Sequence, residues 1–198
     1  VGRLSLYGLG GRRLHEELIF ITARWRDRVS GGPVVFGPQG ETVTLHQLDA
    51  ALRQDRNVAP QISELLSAAV EDDLAVLRDA FETRAEEAKE IAARDLTTIG
   101  VKEADALGRL IQRQIARVDR ERAAADPPQA VLDLRTDEER ARDERERRQR
   151  EEDRRSWDNK TDRLATALNQ EPARVRDGYA IAATRREPVG LIYLWPEG

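Results

Sequence analysis

Residues 60–99 read PQISELLSAAVEDDLAVLRDAFETRAEEAKEIAARDLTTI, with no Gly or Pro between Pro60 and Gly100. Pro60 suits the first turn of a helix, where its missing amide costs nothing. Inward positions follow at Ile62, Leu66, Val70, Leu74, Leu77, Phe81, Ala85, Ala88, Ala92, Leu96 and Ile99. From Val70 the steps are four, three, four, four, three, four, four and three, an eleven-residue repeat of about 3.67 residues per turn. A seam of that period runs straight or slightly right-handed. At about 1.5 Å per residue the helix is close to 60 Å long. A compact fold of this size has no use for such a length, so the helix reads as an arm.

Gly100 permits a reversal, after which Leu107, Ile111, Ile115 and Val118 form a second seam. Two helices joined by so short a turn make an antiparallel hairpin, closed by Asp126-Pro127-Pro128. The alternative is one helix running through Gly100, at about 1 kcal/mol in propensity. Thr97, Thr98 and Val101 are β-branched and favour the turn.

Downstream, Thr136-Asp137-Glu138-Glu139 is a capping box opening another helix. From Asp137 to Arg155 only Ala141 and Gln149 are uncharged. Glu138/Arg142, Asp143/Arg147, Glu144/Arg148, Glu146/Arg150 and Glu151/Arg155 are acid-before-base pairs four apart. With no apolar face this section reads as a solvated spacer helix outside any core. Its near-neutral balance argues against a nucleic-acid arm. Apolar spacing resumes at Trp157, Thr161, Leu164 and Leu168. A separate short helix is expected from Pro172, with Val175, Tyr179 and Ala182 or Ala183 inward and Pro188 ending it. Val189 to Trp195 reads as a strand stopped by Pro196.

Upstream, Val1–Tyr7 alternates like a short strand and Gly8-Leu9-Gly10-Gly11 breaks it. Leu14, Leu18, Ile21, Trp25 and Val29 then fall at helical spacing, stopped by Gly31-Gly32-Pro33. Val34-Val35-Phe36 sits inside a Gly/Pro loop, and Thr44–Gln47 resembles a capping box for a helix over 45–54. The expected fold class is mainly α: a long antiparallel helical hairpin with further helices and a small base containing short N- and C-terminal strands. Its parts are an N-terminal share of the base (1–59), the hairpin (60–126) and a charged helix returning to the base (127–198).

Composition fits that picture. Charged residues are 35% of 198 and aromatics only 5%, which favours long solvated helices over a thick core. A net charge of -4 excludes a generally polybasic binder. Only Lys89, Lys102 and Lys160 are lysines among 33 basic residues, an arginine bias best ascribed to coding composition. Absence of cysteine excludes disulfides, thiol catalysis and thiolate metal sites and suits a cytoplasmic setting. No apolar run spans a membrane. Val1 at the start and the lack of methionine suggest a piece of a longer polypeptide.

No residue set carries chemistry. The Gly8–Gly11 stretch matches neither the dinucleotide fingerprint nor the Walker lysine loop, although Arg12 and Arg13 beside it suit a small anion. His15 and His46 lack a second ligand at metal spacing. Asp72-Asp73 and Glu86-Glu87 lack a partner that would split their pKa values. Catalytic, cofactor and metal residues are therefore expected to be none. Candidate nucleic-acid contacts are Arg12, Arg13, Arg24, Arg26, Arg28, Arg185 and Arg186. Trp25, Trp157 and Trp195 read as packed positions.

The ending Arg186-Glu187-Pro188-Val189-Gly190-Leu191-Ile192-Tyr193-Leu194-Trp195-Pro196 resembles the extreme C-terminus of large bacterial Swi/Snf-family helicases, in particular the DrmD-type helicases of DISARM anti-phage systems. Glu171–Arg176, Arg3–Gly8 and Leu14–Glu17 are similar to the same group. This resemblance implies a non-catalytic segment downstream of two RecA-like motor domains that bind ATP and Mg and translocate on duplex DNA. The chain has neither a Walker lysine loop nor an Asp-Glu-x-His box, so no ATPase residue carries over. Implied partners are those motor domains, a protein subunit and duplex DNA. Monomer is the expected state, with a coiled-coil dimer as the alternative for a stand-alone structural protein.

Overall fold

The computed structural model describes residues 1–25, 33–53, 58–125 and 136–195. The expected stops at Gly31-Gly32, Asp126-Pro127-Pro128 and Pro196 lie outside them. Elements run β1 (Gly2–Tyr7), β2 (Arg13–Ile19), β3 (Ala23–Arg24), β4 (Val34–Val35), α1 (Pro38–Leu52), α2 (Pro60–Ala68), α3 (Val70–Ala125), α4 (Asp137–Asp177) and β5 (Ala183–Pro188). The fold is mainly α, with a long antiparallel helical hairpin and a small sheet joining N- and C-terminal strands. Two compact units divide it: residues 1–96 with 180–198, and residues 97–179.

In the first unit a three-stranded antiparallel sheet has the order β2-β1-β5. Leu4 faces Glu17 on one neighbour and Arg186 on the other. Alternation sends Gly2, Leu4 and Leu6 to the face that meets α3, and both leucines are fully buried. Gly2 is required by that packing, because a Cβ there would fall 2.1 Å from the Phe81 ring. On α3, Leu77, Ala85, Ala92 and Leu96 are buried, and Leu66 on α2 continues their line. The seam read from sequence is thus the observed one up to Leu96, interrupted at Ala69, whose amide turns back to Leu66. Ile99, expected inward, is 43% exposed, and the next buried position is Gly100.

Four local readings are corrected. The helix expected from Leu14 is strand β2. Gly10 and Gly11 both take left-handed φ, 73° and 77°, and turn the chain back along β1 so that ladder bonds override a four-residue apolar spacing. α1 starts at Pro38, seven residues before the expected Leu45, and Thr44 donates its hydroxyl to Gly40 inside that helix, so it caps nothing. The C-terminal strand is Ala183–Pro188, upstream of the apolar run, because β1 offers its free edge there. Residues 189–195 form no strand. There the amides of Val189 and Gly190 donate to Val1, Tyr193 donates to Asp73 at 2.5 Å, and Trp195 is 49% exposed, not packed.

In the second unit the reversal expected at Gly100 is absent: α3 continues through it to Ala125. Gly100 is buried against Tyr179, where a Cβ would come 3.1 Å from the Tyr179 Cβ, so the glycine serves close packing. The hairpin is formed instead by residues 97–125 of α3 and by α4. α4 also passes through Pro172, where a new helix was expected; the ring lies opposite Gly108. Ala104, Ile111 and Val118 are buried on α3. Trp157, Leu164, Leu168 and Val175 are half-buried on α4.

Antiparallel register follows from three contacts. The Tyr179 hydroxyl donates to Glu103 at 2.7 Å, Gly108 meets Pro172, and Arg122 pairs with Asp158 at 2.9 Å. Continued by one turn, this register sets Ala125 level with about Arg155. Residues 137–154 therefore lack an α3 partner, as their composition demands. The Thr136 amide and hydroxyl both donate to Glu139, at 2.8 and 3.0 Å, closing the capping box. Glu144–Arg148 and Glu146–Arg150 form as expected, and Arg142–Glu146 and Arg147–Glu151 add pairs of reverse order. Each adds only a few tenths of a kcal/mol, typical of exposed pairs one turn apart.

Candidate interaction surfaces

The solvent face of the sheet holds an ion-pair chain built from three strands. Arg13 pairs with Glu16 at 2.5 Å, Glu16 with Arg3 at 3.5 Å, Arg3 with Glu187 at 2.7 Å, and Glu187 with Arg185 at 2.7 Å. Period-two alternation puts Arg3 directly opposite Glu187, and Ser5 between Glu16 and Arg185. The charged side chains cover Ser5, which is buried although it lies on the outer face. On the other face Arg186 reaches α3, pairing with Glu82 at 2.8 Å and with Glu86. Arg84 holds α1 by a two-nitrogen grip on Glu41, at 2.9 and 3.3 Å.

These pairs locate the arginines singled out from sequence. Arg13 and Arg185 belong to the sheet chain and Arg186 to the sheet–helix contact, so their guanidiniums are already engaged. Arg12 in the β1–β2 turn and Arg24 in β3 are exposed, with no ion pair among the described residues. Arg26 and Arg28 lie outside the described residues. Of the five described, Arg185 and Arg186 take opposite faces of β5, so these five form no single cluster.

Hydrogen bonds hold three carboxylates below the ordinary 4.5. Lys89 foremost and then Arg186 lower Glu86, Arg3 and then Arg185 lower Glu187, and Arg117 lowers Glu121. A depressed carboxylate stabilises the fold above its unfolded pKa and loses that contribution as pH falls through its folded value. Urea midpoints should therefore hold near neutrality and fall once pH drops below about 4.5. Glu187→Gln should flatten that acid slope; an unchanged slope would show that the sheet chain is not its source.

Among the described residues no group of three or more His, Cys, Asp or Glu is placed to hold a metal. A shallow groove of about 350 Å³ in the first unit is lined by Ile21, Thr22, Val35, Phe36, Thr83 and Arg84, among others. Asp79 and Glu87 also line it, on the same side as Thr83 and Arg84 because all four belong to α3. No family model matches the chain. Nor does any curated protein or solved structure.

A surface that arginine counting missed lies on the second unit. Lys102, Arg109, Arg113 and Arg120 are all exposed on α3. Steps of seven, four and seven residues are each close to whole turns, so the four lie within about 20° of one line. That line is opposite the seam of Ala104, Ile111 and Val118. Arg113 and Arg120 donate Nε to carbonyls of their own helix, Arg109 at 3.3 Å and Ala116 at 3.1 Å. None of the four forms an ion pair among the described residues, although, after the Arg117 hydrogen bond, the charge of Arg120 helps to lower the neighbouring Glu121. The sequence signal was an i, i+7, i+11, i+18 spacing, hidden by reading only the buried face for periodicity.

Proposed function

We propose that this chain is a non-catalytic accessory domain at the C-terminal end of an ATP-dependent Swi/Snf-type DNA helicase, with its helical hairpin as an arm for docking DNA or a protein subunit. The observation that carries this reading is the hairpin made by residues 97–125 and α4: a long paired rod with a charged extension. Support also comes from the sequence resemblance, since Arg3–Gly8 and the stretch opening at Arg186, its distinctive ends, meet in the β1–β5 pairing. In this reading ATP and Mg belong to the motor domains, and a cytoplasmic role in phage defence follows from the same resemblance. Among the described residues no helix is long and apolar enough to cross a membrane.

The competing reading is a stand-alone coiled-coil scaffold that dimerises through its seam. The chain's own burial of Leu77, Ala85, Ala92, Leu96, Ala104, Ile111 and Val118 leaves that seam little apolar surface to offer a second copy. The docking role is tested in the motor-containing parent by replacing residues 97–179 with a short Gly-Ser linker. This excision is practicable because Gly100 and Tyr179 touch, which brings the ends of the segment together. ATPase turnover should persist while its stimulation by DNA or a partner subunit falls at least tenfold. Unchanged stimulation overturns the arm.

A further inference from the structure

We propose that Lys102, Arg109, Arg113 and Arg120 bind the phosphate backbone of a nucleic-acid duplex along one face of α3. This deepens the docking reading and rests on it only in treating the hairpin as a binding surface. Residues 97–125 carry six cations, Lys102, Arg109, Arg113, Arg117, Arg120 and Arg122, against four carboxylates. Two of those carboxylates are engaged elsewhere, Glu103 by Tyr179 and Glu121 by Arg117. Asp105 stands three residues after Lys102 and four before Arg109, about 60° and 40° around the helix, with no ion pair to either among the described residues. Asp119 lies about 100° from Arg120. A local positive line therefore survives on a chain whose net charge is -4.

Geometry favours a duplex over an acidic protein. The stripe is about 27 Å long, with cations separated by about 10, 6 and 10 Å along a stiff axis. A duplex presents a negative charge about every 1.7 Å of its length, so a rod with any such spacing finds phosphates. A protein partner would need carboxylates in matching register and an apolar centre to its interface. Beside the stripe stand Ala106, Gln112 and Ala116. The exposed Leu110 lies about 80° off it and Ile99 about 60° off beyond its end, single apolar side chains on the flank and none within the line. Three of the four cations are arginines, whose planar fork grips phosphate with two nitrogens.

The test is fluorescence anisotropy of a labelled 24-bp DNA duplex with the whole 198-residue chain. Four phosphate contacts give a log–log salt slope of about -3.6, so affinity should fall about 150-fold from 50 to 200 mM salt. Lys102→Gln/Arg109→Gln/Arg113→Gln/Arg120→Gln should bring the slope near zero with helicity at 222 nm unchanged, since Gln is a good helix former. Should the fourfold variant unfold, Arg109→Gln and Arg113→Gln singly should each remove about 0.9 from the slope. Arg142→Gln/Arg145→Gln/Arg147→Gln/Arg150→Gln removes equal charge from α4 and should leave binding within about threefold. Equal loss in both sets, or no binding at 50 mM salt, overturns the proposal. Competition by polyglutamate as strong as by unlabelled duplex would reassign the stripe to an acidic protein and overturn it too. These outcomes are independent of the excision experiment: unchanged motor stimulation with the stripe's salt slope intact rejects the arm and keeps the duplex site.

Discussion

Leu4→Ala is expected to lower the stability of the first unit by about 3 kcal/mol, in the range for a fully buried leucine cut to alanine. Leu4 lies on the central strand, between Glu17 of β2 and Arg186 of β5, with its side chain wholly buried. Both flanking strands hold their partners through β1, so local collapse around the cavity would break two ladders. The surroundings are therefore poorly placed to relax, and the cavity remains. Leu18→Ala is the matched control: same chemistry, same sheet, but 51% exposed on an edge strand. It should cost under about 0.5 kcal/mol. Urea unfolding of the two variants, followed by circular dichroism, checks the contrast. Equal midpoints would mean that the sheet does not bury its inner face.

Sequence reading succeeded where one pattern had one structural meaning. An apolar seam sustained from Leu66 to Leu96 has no strand equivalent, and a helix of charges without an apolar face must stand in solvent. Both emerged as read. Failures occurred where two structures share a pattern. Leu14, Leu18 and Ile21 suit a helix or one edge strand, and the choice was made by pairing with β1, from Tyr7 opposite Arg13 to Gly2 opposite Ile19, which the apolar spacing of 14–29 does not contain. Glycine and proline misled in the opposite sense. Gly100 and Pro172 look like breaks, yet each sits inside a helix because a facing residue, Tyr179 or Gly108, makes the packing fit. Val189–Trp195 has stronger strand propensity than Ala183–Pro188, but hydrogen-bonding partners decide pairing, and propensity lost.

The surfaces show the same division. Arg185 and Arg186 are neighbours in sequence but fall on opposite faces of β5, so one joins the solvent-side ion chain and the other reaches Glu82. Counting them as one basic cluster was bound to fail, because strand geometry separates adjacent side chains. Lys102, Arg109, Arg113 and Arg120 never adjoin in sequence, yet a helix lines them up. Charge clusters are legible only after the period of the element is known.

The continuity of α3 gives the other large expected effect. If a turn stood at Gly100, Val101 would open a new helix, and proline at that first position would be nearly neutral. In the observed helix residue 101 is interior, with about thirty residues before it and more than twenty after it. Proline there removes the amide bond to Thr97 and drives its ring against that carbonyl, at about 3 kcal/mol or more. Val101 is 41% exposed, so loss of its side chain contributes little and the backbone term dominates. Val101→Pro should therefore unfold in urea far earlier than wild type and lose ellipticity at 222 nm before the transition. Gly100→Ala separates the same alternatives from the other side. A helical site gains about 1 kcal/mol of propensity, opposed by the 3.1 Å approach to Tyr179, and the two should nearly cancel. A left-handed turn glycine would instead lose stability on gaining a Cβ. A tolerated proline together with a damaging alanine would restore the turn, whereas the reverse pair fixes α3 as one helix shared by both units.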